Sequence, residues 1–159
     1  GPTAIRYPRG TIKGTPIKAT PQLLEIGKAE VVADGTDVAL IGLGTMFEMA
    51  ERTKAQLEAK GLSVALINPR FIKPLDAAVL QSYASKCKIL CTFEDHVLLN
   101  GFGAAVIENL HSAGIHTPVE RIGWPDKFIE HGKPEILREL HGLTAEVASE
   151  KVLKHFSQS

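Results

Sequence analysis

Apolar residues recur along this chain in short blocks of two kinds. Val38-Ala-Leu-Ile41, Val64-Ala-Leu-Ile67 and Ile89-Leu-Cys-Thr-Phe93 are near-continuous apolar runs, the pattern of strands covered on both faces by other elements. Between and after them the apolar positions return every three or four residues, as in Met46, Met49, Ala50, Thr53 and Leu57, or Ala104, Ala105, Val106, Leu110 and Ala113, which is the face of an amphipathic helix. The pattern predicts strands over 26–33, 38–43, 64–68, 87–93 and 118–122. Helices are predicted from a Thr45 cap to Lys60, over Ala77 to Ser85 behind Pro74 and Asp76, beyond Gly103, over Pro134 to Leu140, and after a Thr144 cap. Gly61 should end the first of these. The Asp34-Gly35 turn pairs the first two strands as an antiparallel edge. The fold class is therefore α/β, a three-layer α/β/α sandwich around a mostly parallel five-stranded sheet with one antiparallel edge strand.

Length and charge narrow the class. At 159 residues with 44% hydrophobic content, the chain has the size of one domain with a real core. Residues 23–159 carry the pattern, whereas Thr11 to Gln22, mixing Gly, Pro, Thr and Lys, has linker composition and places the domain boundary at 22. Ala4 to Tyr7 reads as the end of a strand from a preceding domain, so the chain reads as a piece of a longer protein. Eighteen basic residues balance eighteen acidic ones, which predicts neither a nucleic-acid partner nor a membrane surface, and the apolar runs are too short to cross a bilayer. Cys87 and Cys91 lack metal-ligand or CxxC spacing and read as reduced core side chains.

Three constellations could carry chemistry. Gly42-Leu-Gly44 and Gly101-Phe-Gly103 begin like dinucleotide fingerprints, but Phe47 and Val106 stand where the third glycine belongs; both readings, tight-turn packing and a nucleotide site, stay open with packing favoured. Glu94, Asp95 and His96 fall at the end of a predicted parallel strand and could supply an acid, a base and an imidazole, or form a solvated loop or subunit contact. Arg6 and Arg9 flank Pro8, which stiffens the backbone between two guanidinium forks suited to a phosphate or carboxylate; near a chain end they could equally be solvated or paired. Val97, Leu98, Leu99, Trp124, Phe128 and Ile129 cluster in predicted loops, so the surface around 94–100 and 124–131 is expected to be a domain or subunit contact.

Several motifs also carry a family likeness. Arg6-Tyr-Pro-Arg-Gly10, Asn68-Pro-Arg-Phe-Ile-Lys-Pro-Leu-Asp76, Thr92-Phe-Glu-Asp95, Asn100-Gly-Phe-Gly103 and Trp124-Pro-Asp-Lys-Phe-Ile-Glu-His-Gly132 span nearly the whole chain. Together they resemble the C-terminal domain of the 1-deoxy-D-xylulose-5-phosphate synthase family. Single motifs are shared with transketolase and with the β subunit of 2-oxoacid dehydrogenases, which stand as alternatives beside a free-standing nucleotide-binding module. Phe93-Glu-Asp95 replaces a more usual Val-Glu-Glu, and Trp124 stands where Leu is common.

The resemblance implies a transketolase C-terminal-like domain over 23–159, preceded at 1–22 by the end of a pyrimidine-binding domain and a linker. It implies a transferase that condenses pyruvate with glyceraldehyde 3-phosphate, releases carbon dioxide and feeds isoprenoid, thiamine and pyridoxal synthesis. Such enzymes are homodimers of three-domain chains, cytoplasmic in bacteria and in the plastid stroma of plants. Their thiamine diphosphate and Mg2+ lie between the first two domains, so no catalytic residue is carried over and this piece alone is expected to bind neither and to be inactive. One binding role is carried over: Arg9 on the phosphate of glyceraldehyde 3-phosphate, with Arg6 in support.

Overall fold

A computed structural model describes residues 1–5, 7, 20 and 23–157. Strands β1 (Glu30–Ala33), β2 (Val38–Gly42), β3 (Val64–Asn68), β4 (Ile89–Val97) and β5 (Val119–Trp124) form one sheet in the order β1-β3-β2-β4-β5. Between and after them lie α1 (Phe47–Glu58), α2 (Ala77–Lys86), α3 (Phe102–Ser112), α4 (Pro134–Leu140) and α5 (Ala145–Lys154). β2 runs parallel to β3 and β4, β4 runs parallel to β5, and β1 alone is antiparallel. The expected α/β sandwich with one antiparallel edge strand is the fold.

The two-residue period of the strands divides the core. Val38 and Leu40 join Met46, Ala50 and Leu57 with Ala148 and Val152 of α5 on one face of the sheet. Ala39 and Ile41 join Leu80 and Ala84 of α2 with Val106 and Leu110 of α3 on the other. β2 is buried along its full length because helices cover both of its faces, which is why its residues form an unbroken apolar run. Each large aliphatic side chain fully withdrawn in this way contributes roughly 1.5–3 kcal/mol. Cys87 and Cys91 are free, buried thiols; burial pushes Cys87 up to about 11 and moves Cys91 further in the same direction, so both remain neutral core groups.

Helix ends follow local chemistry. Thr144 Oγ1 accepts the Val147 N–H at 3.3 Å and starts α5, and Gly61, at φ 85°, lets the chain leave α1. Asp76 does double duty: Oδ1 accepts Val79 N–H at 3.2 Å to cap α2, and Oδ2 accepts Ala29 N–H at 3.0 Å from the segment leading into β1. Thr45 does not cap α1 as expected. Gly44, at φ 57°, turns the chain through a short 3-10 segment over Gly44–Met46, and the Thr45 hydroxyl is donated to Asp95 instead.

Two further expectations are corrected. β1 covers only Glu30–Ala33 and pairs with β3, not with β2 across a hairpin. β2 has both edges taken by β3 and β4, so the connection must cross over the start of β3. Gly35 sits so close that a Cβ there would lie 2.3 Å from Ala65 N. Asp34 is drawn away to α2, accepting from Tyr83 Oη at 2.8 Å and Lys86 Nζ at 2.6 Å; the Lys86 hydrogen bond is the main reason its carboxyl is held down at about 2. β4, moreover, does not stop at Phe93 but runs to Val97 through a register shift, so Glu94, Asp95 and His96 belong to a strand and not to a loop.

Because one carboxylate holds two backbone donors in different elements, Asp76→Ala should cost about 2 kcal/mol in urea unfolding, and Asp76→Asn about half of that. A loss for Asp76→Ala below about 0.5 kcal/mol would show that neither bond matters to the fold.

Candidate functional site

Parallel sheets place their working residues beyond the carboxyl ends of the strands. Here that edge is built by the ends of β4 and β5, the start of α3, the loop over 98–101, and α4. Along the last residues of β4, whose pairing is irregular between Phe93 and Val97, Glu94, Asp95 and His96 enter three different surroundings, the first two on opposite faces as strand alternation requires.

Glu94 points inward and is completely buried. Its Oε2 accepts Phe102 N–H at 2.6 Å and its Oε1 accepts Gly103 N–H at 2.9 Å. These are free donors of the first turn of α3, which has no side-chain cap at Gly101, so Glu94 caps the helix from another element and its charge sits against the positive end of the helix dipole. Glycines make the room. A Cβ on Gly101 would lie 2.1 Å from Glu94 Oε2, one on Gly103 2.5 Å from Thr92 Oγ1, and one on Gly123 2.8 Å from Leu98 Cδ2. These close approaches, together with Gly42, whose Cβ would lie 2.7 Å from Phe47 Cα, make Gly42, Gly101 and Gly103 packing devices, while Gly44 serves its turn.

Asp95 turns sideways and gathers three donors: Trp124 Nε1 at 2.6 Å, Arg138 at 2.9 Å and Thr45 Oγ1 at 3.3 Å. Partial burial pushes its carboxyl up, but the Trp124 hydrogen bond and the charge and hydrogen bond of Arg138 outweigh it, leaving the pKa lowered. One anion thus ties the 3-10 segment before α1, β5 and α4 together. His96 turns to solvent, where its Nδ1 donates to the Val97 carbonyl at 2.8 Å. His96 is solvated, though on a strand and not in a loop, Glu94 is not solvated, and the three residues do not meet as an acid–base group.

The segment after β5 is lightly seated. α4 has no buried residue, with Ile136 and Leu140 exposed, and it is held by the Arg138–Asp95 pair and by His141, which pairs with Glu130 at 3.1 Å and meets Trp124 edge-on. Of the apolar side chains expected to form a contact surface, Leu99 and Phe128 are exposed, while Val97, Leu98, Trp124 and Ile129 are half-buried. Next to α4 a cleft of about 510 Å³ is lined by residues including Thr45, Met49, Arg52, Arg138 and Glu139. Its arginines are already paired, Arg52 with Glu48 and Arg138 with Asp95.

Arg6 and Arg9 lie outside the described residues. Sequence reasoning passed over Arg70, which follows β3 at φ 55°, a left-handed conformation costly for arginine. The Asn68 side chain accepts the Arg70 N–H at 3.1 Å, and Glu30 pairs with its guanidinium at 2.7 Å. The Asn68-Pro-Arg-Phe71 motif contained it, yet nothing in its spacing signalled the backbone strain. Arg138 was also passed over, because its partner Asp95 is remote in sequence. Among the described residues no group of three or more His, Cys, Asp or Glu is placed to hold a metal ion, and no helix is long and apolar enough to cross a membrane.

Residues 27–147 match the family model of the transketolase C-terminal domain. The whole chain is 50% identical to 25% of the 1-deoxy-D-xylulose-5-phosphate synthase of Acidobacterium capsulatum, and 98% of it is 51% identical to 25% of the synthase of Methylacidiphilum infernorum. The chain therefore spans about a quarter of the length of these curated relatives. Among solved structures, an inactive β4 tetramer of a split-gene transketolase superposes with a TM-score of 0.78 at 32% identity, over 84% of this chain and 44% of that one. A 2-oxoglutarate:ferredoxin oxidoreductase from Magnetococcus marinus shares the fold, with a TM-score of 0.52 at 19% identity over 80% of this chain and 19% of that one.

The Asp95 cluster gives a pH signature. A carboxyl whose native pKa is lowered stabilises the fold above its unfolded pKa, and that contribution disappears as pH falls through the native value. Asp95→Asn should therefore lower stability at pH 7 by about 1 kcal/mol, the pair being partly exposed, and the gap to the parent should close below about pH 4. Thermal melts from neutral to acid pH read this directly; a gap that widened on acidification would contradict it.

Proposed function

Because the chain belongs to the transketolase C-terminal domain family, we propose that it is the C-terminal domain of a 1-deoxy-D-xylulose-5-phosphate synthase. The observation that carries this reading is 50% identity to such a synthase over all 159 residues. The proposed activity of the full-length enzyme is condensation of pyruvate with glyceraldehyde 3-phosphate and release of carbon dioxide, feeding isoprenoid, thiamine and pyridoxal synthesis. It would work as a homodimer, in the cytoplasm of a bacterium or the stroma of a plastid.

Thiamine diphosphate and Mg2+ belong, in this reading, to the preceding domains. The described residues do not fit them: no acidic or histidine group is set for a metal, and the first turn of α3, where a diphosphate could meet backbone N–H groups, is filled by Glu94. The same carboxylate argues against a free-standing nucleotide-binding module. The domain's own contribution is packing against those preceding domains, a share of the dimer contact, and Arg9, with Arg6 in support, on the aldehyde substrate's phosphate. Exposed Leu99, Phe128, Ile136 and Leu140, beyond the strand ends, suit the packing role.

Two measurements test this. Calorimetry of the 159-residue chain should detect no saturable binding of thiamine diphosphate with Mg2+; micromolar binding would place the cofactor site here after all. In the full-length enzyme, Arg9→Ala should lower kcat/KM for glyceraldehyde 3-phosphate by about one to two decades, the loss of a hydrogen bond to a charged group, while leaving pyruvate little affected. Arg9→Lys should recover part of the loss, since a point charge replaces a fork poorly. Equal impairment with an unphosphorylated aldehyde would remove the phosphate role.

A further inference from the structure

A parallel strand that ends in a glycine-containing loop and opens into a helix is the unit with which α/β folds hold a ligand's phosphate. β4, the 98–101 loop and α3 form that unit here, and its donors are spent on a residue of the same chain. Phe102 N–H and Gly103 N–H both reach Glu94, at 2.6 and 2.9 Å, and Glu94 has no exposed surface. A second polar group faces the same spot. The Thr92 hydroxyl, two residues earlier on β4, is fully buried and has no hydrogen-bond partner among the described residues, and its Oγ1 lies 2.5 Å from where a Gly103 Cβ would stand. A hydroxyl buried without a partner is rare, and here it lies beside the donors of a helix N-terminus.

We propose that Glu94 is a resident anion: it occupies the anion cradle of α3, closes that place to phosphorylated ligands, and fixes the loop over 98–101 against the helix. The loop is clamped from two sides. Gly101 lies against the Glu94 carboxylate, and Arg121 donates to the Leu98 carbonyl at 2.9 Å while its aliphatic stem packs on Gly103. Asn100, at φ 55°, stands between these clamps in the left-handed conformation that asparagine adopts more readily than most residues. Gly101 and Gly123 let the Glu94 side chain lie in direct contact with their backbone, so the cradle is already filled and already charged against a phosphate. A substrate phosphate must then be met elsewhere, which is compatible with the proposed role of Arg9 but does not depend on it.

Emptying the cradle should turn it into a site for a small free carboxylate. Glu94→Ala deletes the equivalent of one acetate, leaving Phe102 N–H and Gly103 N–H without their acceptor beside the Thr92 hydroxyl. The variant should melt roughly 5–10 °C below the parent. Sodium acetate at about 0.2 M should raise its Tm by about 2–4 °C over sodium chloride of equal ionic strength, whereas inorganic phosphate should recover less and the parent should respond to acetate and chloride alike. Amide exchange at Phe102 and Gly103 should be faster in the variant by at least about tenfold and slowed again by acetate, a reversal that general loosening of the fold would not give. A variant that melts with the parent, or a folded variant that acetate and chloride stabilise equally, would overturn the proposal. Should Glu94→Ala not fold, Glu94→Gln decides it, since the amide retains an acceptor for only one donor: parent-like protection at both amides would exclude the resident-anion role, and loss at one of them would support it.

Discussion

A carboxylate wholly removed from water must find inside the protein the donors that water supplied, and the carboxyl edge of this sheet is arranged around that demand. Glu94 finds them in the first turn of α3. Meeting the demand fixes more than one residue, because the helix must begin where its free N–H groups face β4, and Gly101 and Gly103 must lack side chains for the approach to be possible. The extension of β4 beyond Phe93 belongs to the same arrangement. Alternation along β4 turns Glu94, with Thr92, toward α3 and turns Asp95, its neighbour, toward Trp124 and Arg138, before the ladder resumes at Val97 opposite Trp124.

Much of the architecture was legible in the sequence. Unbroken apolar runs marked β2, β3 and the buried part of β4, because a strand covered on both faces has no polar positions to spare. Asp76 and Thr144 were legible as caps, since each accepts from a backbone N–H three residues on. What depends on remote partners was not. β1 sits beside β3 and not beside its sequence neighbour β2, an outcome of the competition among all the strands for the centre of the sheet. Thr45 has the chemistry of a cap, yet its hydroxyl is taken by Asp95, fifty residues away.

The candidate site divides along the same line. The strand end at Glu94-Asp95-His96 was visible as a place, but the partner that holds each side chain was not, because those partners stand elsewhere in the sequence. Arg138 and Arg70 went unremarked for the same reason: one is made significant by Asp95, the other by a backbone angle that Asn68 and Glu30 support. Membership of the transketolase C-terminal domain family accounts for the fold that brings these residues to the strand ends.

The short first strand has a bearing on how copies of the chain behave toward one another. Among the described residues β1 ends the sheet, so one line of its backbone donors and acceptors has no strand beside it, and Val31 and Val32 stand exposed on it. A flat edge of that kind recruits further strands and seeds aggregates. β1 is only four residues long, and its register against β3 shifts between Val31 and Ala33, which bends the ladder where an incoming strand would need it straight. The irregularity that looks like imperfect pairing within one molecule works against two molecules continuing each other's sheet.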